Sequence, residues 1–239
     1  MSVWSLGAVC KVLDVAGNRL SDLPRLAELS SLARLTLSSN AFTELPASVP
    51  SLAALRLLLV DDNLLRSVPG SLASLAKLER LSLAGNAITV LPAALGQLRC
   101  LRSLSVERNL LSGLPAELGA CEALEELDAS CNRIEAVPPQ LGSCARLQSL
   151  VLDQNPLPAA GLPAQLLACA SLTTLSLHGC AGCSLEALEK LPGWAAFDAR
   201  QRGKQSKRVA GGVLLGERGL DDGVDHRTTR IVVPNTGTR

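Results

Sequence analysis

The chain has 239 residues, 47% of them hydrophobic but only 2% aromatic, with no tyrosine, so its core must be built from leucine, alanine and valine rather than from stacked rings. Lys and Arg number 23 and Asp and Glu 22, a net charge of +1, which excludes a long electrostatic footprint for DNA or RNA. The opening "MSVWSLGAV" lacks the basic flank and long apolar run of a secretory signal, and no window reaches the roughly 18 uninterrupted apolar residues of a membrane span.

Residues 1–9 read as a thin N-terminal cap in which Trp4 is the largest apolar side chain. From residue 10 to residue 183 one phrase recurs, as in "LARLTLSSNAFTELPASV", "LERLSLAGNAITVLPAAL" and "LEELDASCNRIEAVPPQL". Its asparagines are Asn18, Asn40, Asn63, Asn86, Asn109, Asn132 and Asn155; the first interval is 22 residues and the other five are 23. Rungs begin at Cys10, Leu32, Leu55, Leu78, Leu101, Leu124, Leu147 and Leu172. In each, alternation such as Leu81 and Leu83 predicts a short strand with the leucines inward and Arg80, Ser82 and Ala84 on the opposite face, so stacked rungs make a parallel sheet. The asparagine amide suits the turn that ends the strand, pairing backbone groups rung upon rung as a ladder. The Leu-Pro pair that follows removes a donor and restricts the preceding residue, which predicts an irregular or 3₁₀ back wall.

This frame, Leu-x-x-Leu-x-Leu-x-x-Asn-x-Leu-x-x-Leu-Pro, is met by Leu78, Leu81, Leu83, Asn86, Ile88, Leu91 and Pro92, and it resembles the leucine-rich repeat. The implied fold is an α/β solenoid, a horseshoe of about eight rungs with the parallel sheet on the concave face, a 3₁₀ convex face and a helical C-terminal cap. The late phrases "LEKLPGWAAFDARQRGKQSKR", "GVLLG" and "DDGVDH" resemble the small intracellular family related to leucine-rich-repeat-containing protein 57 and its plant counterparts; the repeats also resemble the Ras-group-related and Shoc-2-like proteins. The resemblance implies a protein-binding scaffold in signalling, with no catalytic residue or cofactor to carry over; a regulatory subunit of a small GTPase or phosphatase is the alternative. Some members begin Met-Gly for myristoylation, whereas residue 2 here is Ser2, and the start is similar to the middle of a family member, so a truncated N-terminus is expected. A cytoplasmic monomer is the expectation, with the eight cysteines reduced and most of them small core residues.

Outward strand positions would form columns about 4.8 Å apart across the rungs. One runs Ala16, Ser38, Asp61, Ala84, Glu107, Ser130, Asp153, His178, and acids outnumber bases across the face. Arg34, Leu57, Leu59, Asp61, Arg80, Glu107, Glu126, Asp128 and Asp153 are the candidate partner contacts, with Leu57 and Leu59 as an exposed apolar spot; the mixture suits a basic and apolar partner surface. Ser130, Asp153 and His178 share one column, but the aspartate stands in the middle, where a nucleophile–base–carboxylate relay needs the histidine.

"LSLHGCAGCS" places His178, Cys180 and Cys183 within six residues. Cys180 falls where the other rungs have asparagine and is expected to close the ladder, while Cys183 has no positional explanation. Zinc usually takes four ligands, and His178 and Cys180 should point to opposite faces, so no metal ligand set is assigned; a thiol-redox or metal site at Cys180 and Cys183 is the alternative from another class. Beyond residue 183, Ser184 is expected to cap a helix with Leu185 and Leu188 on one side, followed by a second helix anchored by Trp194 and Phe197. This cap, residues 184–208, ends in the basic run Arg200, Arg202, Lys204, Lys207 and Arg208, which could make a weak peripheral contact with anionic lipid. Residues 209–239 are glycine-rich without a sustained period and are expected to be a disordered tail.

Overall fold

In the computed structural model, residues 10–202 are described; Trp4, the basic residues Lys204, Lys207 and Arg208, and the segment 209–239 lie outside them. Eight three-residue strands, β1 (Val12–Asp14), β2 (Arg34–Thr36), β3 (Leu57–Leu59), β4 (Arg80–Ser82), β5 (Ser103–Ser105), β6 (Glu126–Asp128), β7 (Ser149–Val151) and β8 (Thr174–Ser176), form one parallel sheet in chain order. The register aligns Leu13, Leu35, Leu58, Leu81, Leu104, Leu127, Leu150 and Leu175. All eight are buried, so the middle position of every strand is leucine and faces the core. No rung can bury its leucine alone, and stability is a sum over neighbouring interfaces.

The back wall is a series of 3₁₀ turns, among them Gly70–Ser74, Ala93–Gln97, Ala116–Ala120 and Pro139–Ser143, each preceded by a proline in extended conformation. Every one of these turns buries a leucine, and the position closing it, Leu75, Leu98, Cys121 or Cys144, is buried as well. Cysteine takes that position in three successive rungs. The thiols of Cys121, Cys144 and Cys169 donate to the main-chain carbonyls of Leu95, Leu118 and Cys144 in the preceding turns. Burial pushes the Cys121 and Cys144 thiols up to about 11, as expected of inert core residues.

Glycine recurs on the wall where several of the successive turns touch closely. A Cβ on Gly119 would lie 2.3 Å from the Gln140 carbonyl oxygen, and Gly96 and Gly142 are equally confined against Glu117 and Gln165. Gly119→Ala is therefore expected to lower the unfolding free energy by about 1–3 kcal/mol in urea denaturation, since backbone rather than a flexible side chain must move. Gly113→Ala, whose Cβ meets nothing within 4 Å, should be neutral or slightly stabilising. Equal losses for the two would sink this account of the wall.

At the C-terminal end, α1 (Ala164–Ala168) replaces the 3₁₀ turn and α2 (Leu185–Glu189) follows the last strand. Ser184 caps α2 as expected, its Oγ accepting from the Ala187 N–H at 3.3 Å. Leu188 is fully buried, but Leu185 is 51% exposed, correcting the expectation that both face the core. Leu185 is the first residue of α2, and it is Leu188, nearly one turn on, that meets the core. Residues 194–202 are helical; Trp194 and Phe197 are buried with ring centroids 5.6 Å apart, covering the open end of the leucine core. Two members of the basic run belong to this cap. Arg200 lies over the Phe197 ring and donates to the Leu167 carbonyl, and Arg202 pairs with Asp198 at 2.6 Å.

Candidate functional site

The asparagine ladder holds the concave side rigid. In each internal rung one Nδ2 donates to two carbonyls of its own turn and one of the preceding rung, while Oδ1 accepts a main-chain N–H from that rung. For Asn63 the partners are Leu37, Val60 and Asp61 oxygens at 3.0–3.2 Å and the Phe42 N–H at 3.1 Å. Asn40, Asn86, Asn109, Asn132 and Asn155 repeat the pattern. Asn18, at the first rung, bonds only within its own turn, to Val15 and Ala16. At the eighth rung the Cys180 thiol donates to the Leu152 carbonyl at 3.2 Å, supplying the cross-rung bond of an asparagine.

Outward side chains line an open groove of about 870 Å³ running from Asp61 to Ser176. The strand register places Arg34, Leu57, Arg80 and Glu126 in one row, and Leu59 and Asp128 in the next. Asp61, Glu107 and Asp153 stand just beyond the strand ends and also border the groove. Leu57 and Leu59 are half-buried, not the exposed spot expected, because neighbouring strands crowd a flat sheet. Larger exposed apolar side chains stand one residue after the asparagine, at Leu64 (56%) and Leu110 (36%), with Ala87 between them in the same column. That column is visible in the repeat phrase once the position after asparagine is followed from rung to rung.

Several acids are held in fixed orientations. Asp61 Oδ1 accepts from Ser82 Oγ at 2.5 Å and the Ala84 N–H at 2.8 Å, which buries Ser82 and Ala84 beneath it. Asp153 Oδ1 accepts from Ser176 Oγ at 2.6 Å and the His178 N–H at 2.7 Å. Asp128 Oδ1 accepts from the Ser130 N–H and hydroxyl at 3.0 and 2.6 Å. At the rim, Arg108 reaches across a whole rung to Asp62 at 3.1 Å and lies 3.5 Å from Glu107. The bridge passes over Gly85, φ +64°, where a Cβ would stand 2.3 Å from the Asp62 carboxylate. Such an i to i+2 rung contact is invisible to a rung-by-rung sequence reading.

The Ser130, Asp153 and His178 column is not a relay, because the Ser130 hydroxyl is spent on Asp128 and only the main chain of His178 meets Asp153. His178 is exposed while Cys180 and Cys183 are buried, so the histidine points away from the two thiols. Cys183 does have a positional explanation. Gly182 bridges to Pro158, which places Cys183 beside buried Ala159, and the Cys183 thiol donates to the Leu157 carbonyl at 3.3 Å. The neighbouring Cys180 thiol and burial push Cys183 well above its ordinary range, and the Cys183 thiol in turn draws Cys180 down. No group of three His, Cys, Asp or Glu placed to hold a metal ion occurs among the described residues.

Residues 53–111 match the leucine rich repeat family. A search of curated proteins finds no match. Among solved structures, a leucine-rich-repeat protein of Leptospira interrogans is 28% identical, with a TM-score of 0.63, over 74% of this chain and 50% of its own. Internalin InlF of Listeria monocytogenes is 23% identical with a TM-score of 0.62 over 75% of this chain and 52% of its own; internalin C2 of the same organism is 21% identical with a TM-score of 0.66 over 77% of each. The chain thus spans about half the length of the first two, and all three share its repeat solenoid fold.

Proposed function

We propose that this leucine-rich-repeat protein is a non-catalytic interaction module that takes a protein partner on its concave sheet, acting as a cytoplasmic scaffold in intracellular signalling. Leucine-rich-repeat proteins generally act as protein-interaction modules. The observation that carries the reading for this chain is the contrast between the two faces of one sheet. The inward row is leucine eight times, whereas the aligned outward row changes from Val12 through Arg34, Leu57, Arg80, Ser103, Glu126 and Ser149 to Thr174. A rigid scaffold with a varied, open face suits recognition of an extended macromolecular surface rather than enclosure of a small substrate. Regulation of a small GTPase or phosphatase is a finer form of the same reading, supported by the likeness of the repeats to the Ras-group-related and Shoc-2-like proteins.

The test is affinity capture with the wild-type chain beside a Leu57→Arg, Leu59→Arg, Asp128→Ala variant and a back-wall variant, Glu117→Gln. The concave variant is expected to lose its partner at least about tenfold while the back-wall variant keeps it. Retention by a concave variant whose melting temperature matches the wild type would overturn the concave reading.

A further inference from the structure

We infer that the partner segment seated on rungs five to seven of the concave sheet is extended and rich in Arg or Lys. The inference rests on the concave reading and narrows it to a chemistry. Glu107, Glu126, Asp128 and Asp153 all stand on these three rungs and border the groove. The other outward positions there are Ser103, Ser105, Ser130, Ser149 and Val151, so no Lys or Arg occupies the floor. Two cations border the groove: Arg108 is committed to Asp62 and Glu107, and Arg80 stands on the rung before, beside Ser103. The low, hydroxyl-bearing floor lets long cationic side chains approach the carboxylates.

Spacing favours an extended chain. Glu126 and Asp128 lie two residues apart on one strand, about 6.8 Å, the separation of alternate side chains in an extended partner. Asp128 aligns with Val151, and Asp153 follows two residues later on the same rung, so half-buried Val151 lies beside both acids. It offers an apolar seat for the methylene stem of a Lys or Arg whose head reaches a carboxylate. The hydrogen bonds of Asp128 and Asp153 use Oδ1, which fixes each carboxylate without drawing on its second oxygen. Charge complementarity therefore selects a basic segment, and like-charge repulsion rejects an acidic one.

The same hydrogen bonds supply a clean variant. Asp128→Asn with Asp153→Asn keeps the side-chain oxygen that Ser130, Ser176 and His178 donate to and removes only the two charges. The control, Glu117→Gln with Glu135→Gln, removes two charges from exposed positions away from the sheet. The full chain is titrated with a fluorescently labelled peptide of alternating Arg and Ser, read by anisotropy. The expected result is binding that salt weakens, reduced at least about tenfold by the Asn pair and less than about twofold by the Gln pair. Equal losses in both pairs, or no binding at low salt, would overturn the inference. Binding that emerges only after charge reversal at Lys204 and Lys207 would assign the groove to the chain's own basic residues and overturn it too. Should the concave variant lose its captured partner while the Asn pair binds both peptide and partner as the wild type does, the concave reading stands and the basic segment falls.

Discussion

Asn132→Ala is expected to lower the unfolding free energy by about 3–5 kcal/mol, among the largest effects of any single polar substitution in this chain. The side chain is buried and tied to two rungs: Nδ2 donates to the Val106, Ala129 and Ser130 carbonyls at 2.9, 3.1 and 3.0 Å, and Oδ1 accepts the Leu111 N–H at 3.0 Å. Alanine would leave the Leu111 N–H without a partner in a site closed to water and would take one of two donors from each carbonyl, since Val106, Ala129 and Ser130 also accept from Asn109, Asn155 and the Arg108 N–H. The same substitution at Asn18, exposed at the first rung and bonded only within its own turn, should cost less than about 1 kcal/mol. Asn132→Cys should fall between the two, because Cys180 shows that a thiol can retain the cross-rung bond. Urea unfolding of the three variants measures the series. A flat series would mean that the ladder is a consequence of the fold and contributes little to it.

The periodicity of the sequence made the strands, their parallel order and their register legible, because a constant repeat forces like positions into alignment. Asn63 stacks between rungs for the reason its spacing suggested, and Cys180 closes the ladder for the same reason. What escaped were features that the single-rung frame does not encode. The half-burial of Leu57 and Leu59 depends on how tightly neighbouring strands crowd a flat sheet. The Asp62–Arg108 bridge skips a rung and needs Gly85 beneath it. Cys183 is buried because the chain after Cys180 bridges to Pro158 at Gly182 and sets Cys183 beside Ala159, a contact outside the repeat frame. Leu185 stands at the first position of α2 and stays exposed while Leu188, nearly one turn on, meets the core, a difference that i to i+3 spacing does not encode. The candidate contacts were legible as outward positions, yet which acids are locked by neighbouring hydroxyls depends on side-chain geometry that alternation alone does not specify.

Phe197→Ala is the second large expected effect, and its location along the solenoid is more informative than its size. Phe197 is fully buried against Trp194, and with it covers the last rung; truncation should cost about 3–5 kcal/mol of local stability. In a stack held by nearest-neighbour interfaces, that loss should stay at the damaged end, since each rung depends on the one beside it and only weakly on those farther away. Hydrogen exchange should therefore show β8 losing protection first, with β4 to β6 close to the wild type, and the Trp194 emission should shift to the red as its neighbour is lost. Trp194→Phe, which keeps a ring at the interface, should perturb the same strand by less. Uniform loss of protection along all eight strands would show instead that the solenoid unfolds as one cooperative unit, and that the helices after Ser184 stabilise every rung rather than the end they cover.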